Sequence, residues 1–153
     1  MTAHHPDWRE WLESLNAAGA EYVVVGGVAL AFHGIVRYTV DLEVLVHATP
    51  GNARRVIQAL HAFGLGSLDV TEGDLATPGK VIQLGFPPGR IDLLTAIDGV
   101  GWDEVDRHAV SGTYGGVPTR FIARADLIRN KRVTGRPRDL ADVAELEDGS
   151  ASA

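Results

Sequence analysis

Two carboxylates one residue apart, Asp41 and Glu43, follow the pair Gly26-Gly27 with thirteen residues between them. On an extended strand, side chains at i and i+2 leave the same face, so the oxygens of these acids can share one or two hard cations. Gly26-Gly27 ends the apolar run Tyr22-Val23-Val24-Val25, where the backbone can turn sharply and lie bare against a phosphate. A third acid, Asp92, sits between Ile91 and Leu93 in a run that reads as a strand. A carboxylate inside an apolar strand is costly to bury without a partner, and a cation shared with Asp41 and Glu43 would supply one. Phosphoryl transfer is the chemistry open to such a set. The plainer alternatives are a solvent-facing acid pair, a tight strand-to-helix turn at the glycines and a structural Asp92.

Further candidates surround these. Arg37, four residues before Asp41, suits a phosphate contact or a salt bridge that holds the acids, and Thr39 shares the face of Asp41. Lys131 belongs to a predicted helix with Leu127 and Ile128, so its stem can cover the core while its ammonium reaches an anion. Five of the fourteen basic residues fall between 129 and 138 with no acid among them. They read either as a solvated helix face complementing a helix end or as an anion site for a triphosphate or an RNA backbone. Arg136 and Arg138, flanking Pro137, can also pair with Asp139 or Asp142 in a structural network. His33 reads as a packed helix-end residue. The six histidines show no His-x-x-x-His spacing, and neither a Gly-x-Ser-x-Gly nor a P-loop pattern occurs.

The elements that must position these groups follow from periodicity. Asp7 is expected to cap a helix with Trp8, Trp11, Leu12 and Leu15 inward and Gly19 at its end. Tyr22 to Val25 predicts a buried strand, Val28 to His33 a short helix stopped by Gly34, and Asp41 to Val46 a strand with Leu42, Val44 and Val46 on one face. Pro50 to Phe63 predicts a helix with Val56, Ile57, Leu60 and Phe63 inward, ended by Gly64 to Gly66. Ser67 to Lys80 has no clear period and reads as a loop with room for a short strand. Val81 to Phe86 and Arg90 to Leu94 form a predicted hairpin around Pro87-Pro88-Gly89. Trp102 to His108 predicts a helix, Gly115-Gly116 a turn and Val117 to Phe121 a strand. Two helices, Ala125 to Thr134 and Arg138 to Glu147, are broken at Gly135-Arg136-Pro137.

With 153 residues and 45% hydrophobic content, one compact α/β domain over 1–147 is expected, with 148–153 a short flexible tail. Cysteine is absent, which excludes disulfides and thiolate-ligated zinc. The start Met1 to Trp8 has no basic patch followed by an apolar stretch, and no run approaches the ~18 apolar residues of a membrane span; a soluble, cytoplasmic protein with no membrane partner is expected. The formal charge of −6 argues against general duplex DNA binding.

Taken in order, Tyr22-Val23-Val24-Val25-Gly26-Gly27-Val28-Ala29, His33-Gly34, Arg37 to Glu43, Arg90-Ile91-Asp92-Leu93-Leu94, and Asp126 to Lys131 followed by Arg136 to Asp142 resemble the nucleotidyltransferase superfamily with the polymerase-β-like fold. The resemblance is to its minimal single-domain form, in the bacterial group related to AbiEii-type toxins, and it spans roughly Tyr22 to Leu146. It implies a mixed sheet flanked by helices, with Gly26 and Gly27 at the nucleotide phosphates and Asp41, Glu43 and Asp92 as a triad for Mg²⁺ or Mn²⁺. It also implies transfer of a nucleoside monophosphate from an NTP to a hydroxyl or phosphate of RNA such as tRNA, of a protein, or of a small molecule. Two divalent ions would then bridge the acids, with Asp92 on the acceptor side or taking the proton. Many relatives place Ser or Thr after the first glycine, whereas Gly27 and Val28 offer backbone N–H groups only. Glu43, longer than Asp, shifts the ion and favours a looser cation such as Mn²⁺. A reading of a different class is a catalytically weak nucleotide-binding or partner-binding module of a toxin–antitoxin pair.

Overall fold

The computed structural model of the chain describes residues 4–65 and 69–152, and side chains up to 149. Met1 to Ala3, the helix stop expected at Gly66 and the start of the loop expected at Ser67 lie outside the described residues. Six strands form one mixed sheet, β1 (Tyr22–Val25), β2 (Asp41–Val46), β3 (Val81–Leu84), β4 (Arg90–Leu94), β5 (Val110–Tyr114) and β6 (Val117–Phe121), in the order β3-β4-β2-β1-β6-β5. Seven helices occur among the described residues: α1 (Pro6–Ala17), α2 (Gly26–Phe32), α3 (Pro50–Ala62), α4 (Glu72–Ala76), α5 (Trp102–His108), α6 (Arg124–Thr134) and α7 (Pro137–Ser152). The α/β mixture expected from the pattern is therefore present, around one hydrophobic core. No helix among the described residues is long and apolar enough to cross a membrane.

The short apolar strand β1 is buried along its whole length and takes a central place, antiparallel to β2 and parallel to β6. An all-apolar run suits that position because both faces of a central strand are covered. The β2 strand continues outward by pairing in parallel with β4, and β3 closes that side of the sheet as the outer arm of the Pro87-Pro88-Gly89 hairpin. Trp11, Leu12 and Leu15 of α1 are fully buried, and α1 packs against α3 and β6.

Four local readings change. His5, not Asp7, caps α1: Pro6 lacks an N–H and occupies the first turn, and His5 Nδ1 accepts from the Asp7 N–H at 3.1 Å. Helix α2 begins at Gly26 itself, the preceding Val25 being extended. The stretch read as a loop contains α4, nucleated by a capping box in which the Thr71 hydroxyl accepts from Asp74 N–H and the Asp74 carboxylate accepts from Thr71 N–H. Val110 to Tyr114, not anticipated as a strand, forms the edge strand β5. The backbone of α7 stays helical through Ser152.

Candidate active site

Strands β2 and β4 run side by side with Asp41 opposite Arg90 and Glu43 opposite Asp92. Cross-strand partners share a face, as do residues two apart on one strand, so the three acids and Arg90 gather on one patch of the sheet. Arg90 Nη2 donates to Asp41 Oδ2 at 2.8 Å and reaches Asp92 Oδ2 at 3.4 Å, while its Nε stands 3.1 Å from Asp92 Oδ1. That last contact is an ion pair without hydrogen-bond geometry, since Arg90 Nε and Asp92 Oδ1 are both buried with no hydrogen-bond partner. Burial lifts Asp92 above the usual carboxylate range, Arg90 opposes the rise and Asp41 adds to it.

Glu43 leans instead towards the glycine pair. A Cβ placed on Gly26 would stand 1.7 Å from Glu43 Oε2, and Gly26 has φ +66°, so glycine is required there twice over. Burial raises the Glu43 pKa, the charges of Asp41 and Asp92 raise it further, and Lys131 and the Gly27 N–H act against them. The Thr39 hydroxyl donates to the Asp41 carbonyl at 2.9 Å, pinning the start of β2, with its Cβ close to where a side chain on Gly27 would grow.

These groups border a cleft of about 690 Å³, within the range of small-molecule sites. Gly26, Gly27, Arg37, Thr39, Asp41, Glu43 and Lys131 all line it, so the topology brings these candidates from the sequence together; Asp92, like its neighbour Arg90, is not part of the cleft lining. The lining continues through α6, the junction after it and the start of α7, with Arg136, Arg138, Asp139 and Asp142. Tyr38 lines the same cleft and is 90% exposed.

The basic stretch is largely neutralised. Lys131 Nζ lies 3.0 Å from Asp142 Oδ2 and 3.7 Å from Asp139 Oδ1, and Arg136 Nε lies 2.7 Å from Asp139 Oδ2. Arg129 pairs with Glu104 and Asp126, Arg132 with Glu147, and neither lines the cleft. Among the described residues Arg138 alone of the five has no ion-pair partner. Burial disfavours the charge on Asp139, yet the Arg136 guanidinium, the Thr134 hydroxyl and the Arg136 N–H outweigh it and hold this carboxyl down at about 2. Arg37 does not brace the acids of β2; it pairs with Asp142 at 3.2 Å and Glu145 at 2.6 Å on α7. His33 is a packing residue, with Nε2 2.7 Å from the Ile122 carbonyl.

Sequence reasoning gave no role to Arg90, although its place two residues before Asp92 on a strand already put both on one face. The cleft position of Tyr38, and the pairing of Arg37 with Glu145 and Asp142, the latter expected to pair with Arg136 or Arg138, depend on tertiary contacts that no local pattern encodes. Among the described residues no three His, Cys, Asp or Glu side chains are grouped to hold a metal as they stand, because Arg90 engages Asp41 and Asp92 while Glu43 turns to the glycines. In type the set fits a hard cation: carboxylate oxygens in register, one of them buried and unpartnered. The chain matches no protein-family model, and no curated protein matches it.

Proposed function

We propose that the chain is a metal-dependent nucleotidyltransferase of the minimal polymerase-β-like kind, related to AbiEii-type toxins, that moves a nucleoside monophosphate from an NTP to a hydroxyl or phosphate of RNA, protein or a small molecule. The observation that carries this reading is the β2–β4 register, which sets Glu43 opposite Asp92 and Asp41 beside them at the edge of a cleft walled by Gly26 and Gly27. Asp41, Glu43 and Asp92 would hold Mg²⁺ or Mn²⁺, which would neutralise the triphosphate and acidify the attacking hydroxyl. Lys131 and Arg138 face the same space from α6 and α7 and would take the departing pyrophosphate charge. Asp92, buried and off the wall, would orient the cluster or accept the proton of the acceptor hydroxyl.

Labelled NTPs, Mg²⁺ or Mn²⁺, and bulk tRNA or cell lysate are expected to yield a labelled product with the native chain and none with Asp41→Ala. Label transfer that survives this substitution, or no transfer to any acceptor, would overturn the assignment. One observation favours a second reading, a weakly catalytic nucleotide- or partner-binding module of a toxin–antitoxin pair: Asp41, Asp92 and most cations of the site are already held in ion pairs. Nucleotide binding without label transfer is its signature.

A further inference from the structure

We propose that Arg90 is the resident counter-ion of the carboxylate cluster, holding the place of a divalent cation and giving way when one binds; this rests on the metal-dependent reading above. Three carboxylates on one patch of sheet repel, and the partners available to offset them are few. Arg90 is the cross-strand partner of Asp41 and lies two residues from Asp92, so the ladder itself delivers its guanidinium between the two acids. Its hydrogen bonds go to these two carboxylates alone among the described residues. Arginine keeps its charge at every working pH, which makes it an unconditional counter-ion.

The fit is incomplete in a telling way. The contact with Asp41 has good geometry at 2.8 Å, whereas Arg90 Nε and Asp92 Oδ1 face each other at 3.1 Å without a hydrogen bond, both buried. A planar fork on a strand cannot satisfy one acid across the ladder and another along it equally well. A small divalent cation has no such directional demand and carries twice the charge. Arg90 is about a quarter exposed and sits on a long flexible stem, so its head can leave without unpacking the sheet. The chain is then folded without metal, and part of the cation's affinity is spent on displacing the guanidinium.

The test compares the full chain with Arg90→Met, which keeps the apolar stem, and Arg90→Lys, which keeps the charge. Mn²⁺ binding is read from the paramagnetic resonance signal of free Mn²⁺, and thermal melting is followed in EDTA and in excess Mn²⁺. Expected are Mn²⁺ binding by the native chain, about tenfold tighter binding by Arg90→Met, and a lower melting temperature of that variant in EDTA that recovers in Mn²⁺. Arg90→Lys should fall between the two, and it decides the matter by the same criterion if Arg90→Met does not fold without metal. Native binding with equal or weaker binding by the variants overturns the counter-ion role and leaves the transferase reading standing. No Mn²⁺ binding by any of the three overturns both.

Discussion

Asp142 of α7 accepts from Lys131 of α6 at 3.0 Å and, through its other oxygen, pairs with Arg37 at 3.2 Å, so a single carboxylate occupies two cations that face the cleft. On the proposed reading, a triphosphate entering there would compete with this acid for the same partners. Asp142→Asn is expected to tighten binding of a fluorescent NTP analogue several-fold in a direct titration. It should also lower stability by about 1–2 kcal/mol, because Lys131 is mostly buried and loses its nearest charge. Unchanged or weaker nucleotide binding in a folded variant would mean that the anion never reaches these cations.

Gly26 and Gly19 share nearly the same positive φ, +66° and +68°, but differ in surroundings. A methyl on Gly19 meets nothing within 4 Å, whereas on Gly26 it collides with Glu43. Gly19→Ala should cost about 1–2 kcal/mol for the left-handed backbone alone. Gly26→Ala should cost clearly more in chemical denaturation and should abolish label transfer by evicting the Glu43 carboxylate. Equal costs at the two positions would show that Glu43 moves aside freely.

Asp139 sets an acid limit on the α6–α7 junction. Its folded pKa of about 2 lies below the ordinary aspartate value of 3.8, so its contribution is present above pH ~4 and is lost as pH falls through about 2. Arg136 is more than half exposed and its attraction is screened, which leaves about 1–2 kcal/mol at neutral pH. Denaturation of the native chain and Asp139→Asn between pH 2 and 7 should give curves that diverge as pH rises to about 4 and run parallel above it. A constant difference across that range would assign the effect to hydrogen bonding alone.

Tyr38 shows nine-tenths of its surface at the cleft and makes no ring contact among the described residues. On the proposed reading an exposed aromatic face at the cleft would stack a nucleobase, a contact worth about 1–3 kcal/mol where stacking has been dissected. Tyr38→Ala should leave the melting temperature unchanged and raise KM for the NTP about tenfold or more, with little change in kcat. Tyr38→Phe should behave like the native chain.

The sequence made the acids legible because their strands alternate cleanly: Asp41 and Glu43 interrupt one face of β2 and Asp92 stands out within β4. Gly26 was legible through its place at the end of an apolar strand. The edge strand β5 was not, since only Tyr114 of its five residues is buried and no apolar alternation marks it. Helix α4 hid behind a Gly- and Thr-rich composition, although the Thr71-x-x-Asp74 spacing carries its start signal. The pairing of Arg37 with Asp142 and Glu145, and of Arg90 with Asp41, resolves only once α7 meets the segment before β2 and β4 pairs with β2, because ion pairs across dozens of residues leave no local trace.

The parallel ladder between β2 and β4 also fixes what kinds of length change the gene can absorb. A single codon gained or lost inside β4 would slide the strand by one step and rotate Asp92 to the far side, delivering Ile91 or Leu93 to the acids of β2. A slip of two keeps the side but sets Arg90 or Leu94 against Glu43. Indels in this five-residue segment therefore leave the acids of β2 and β4 either in register or wholly out of it.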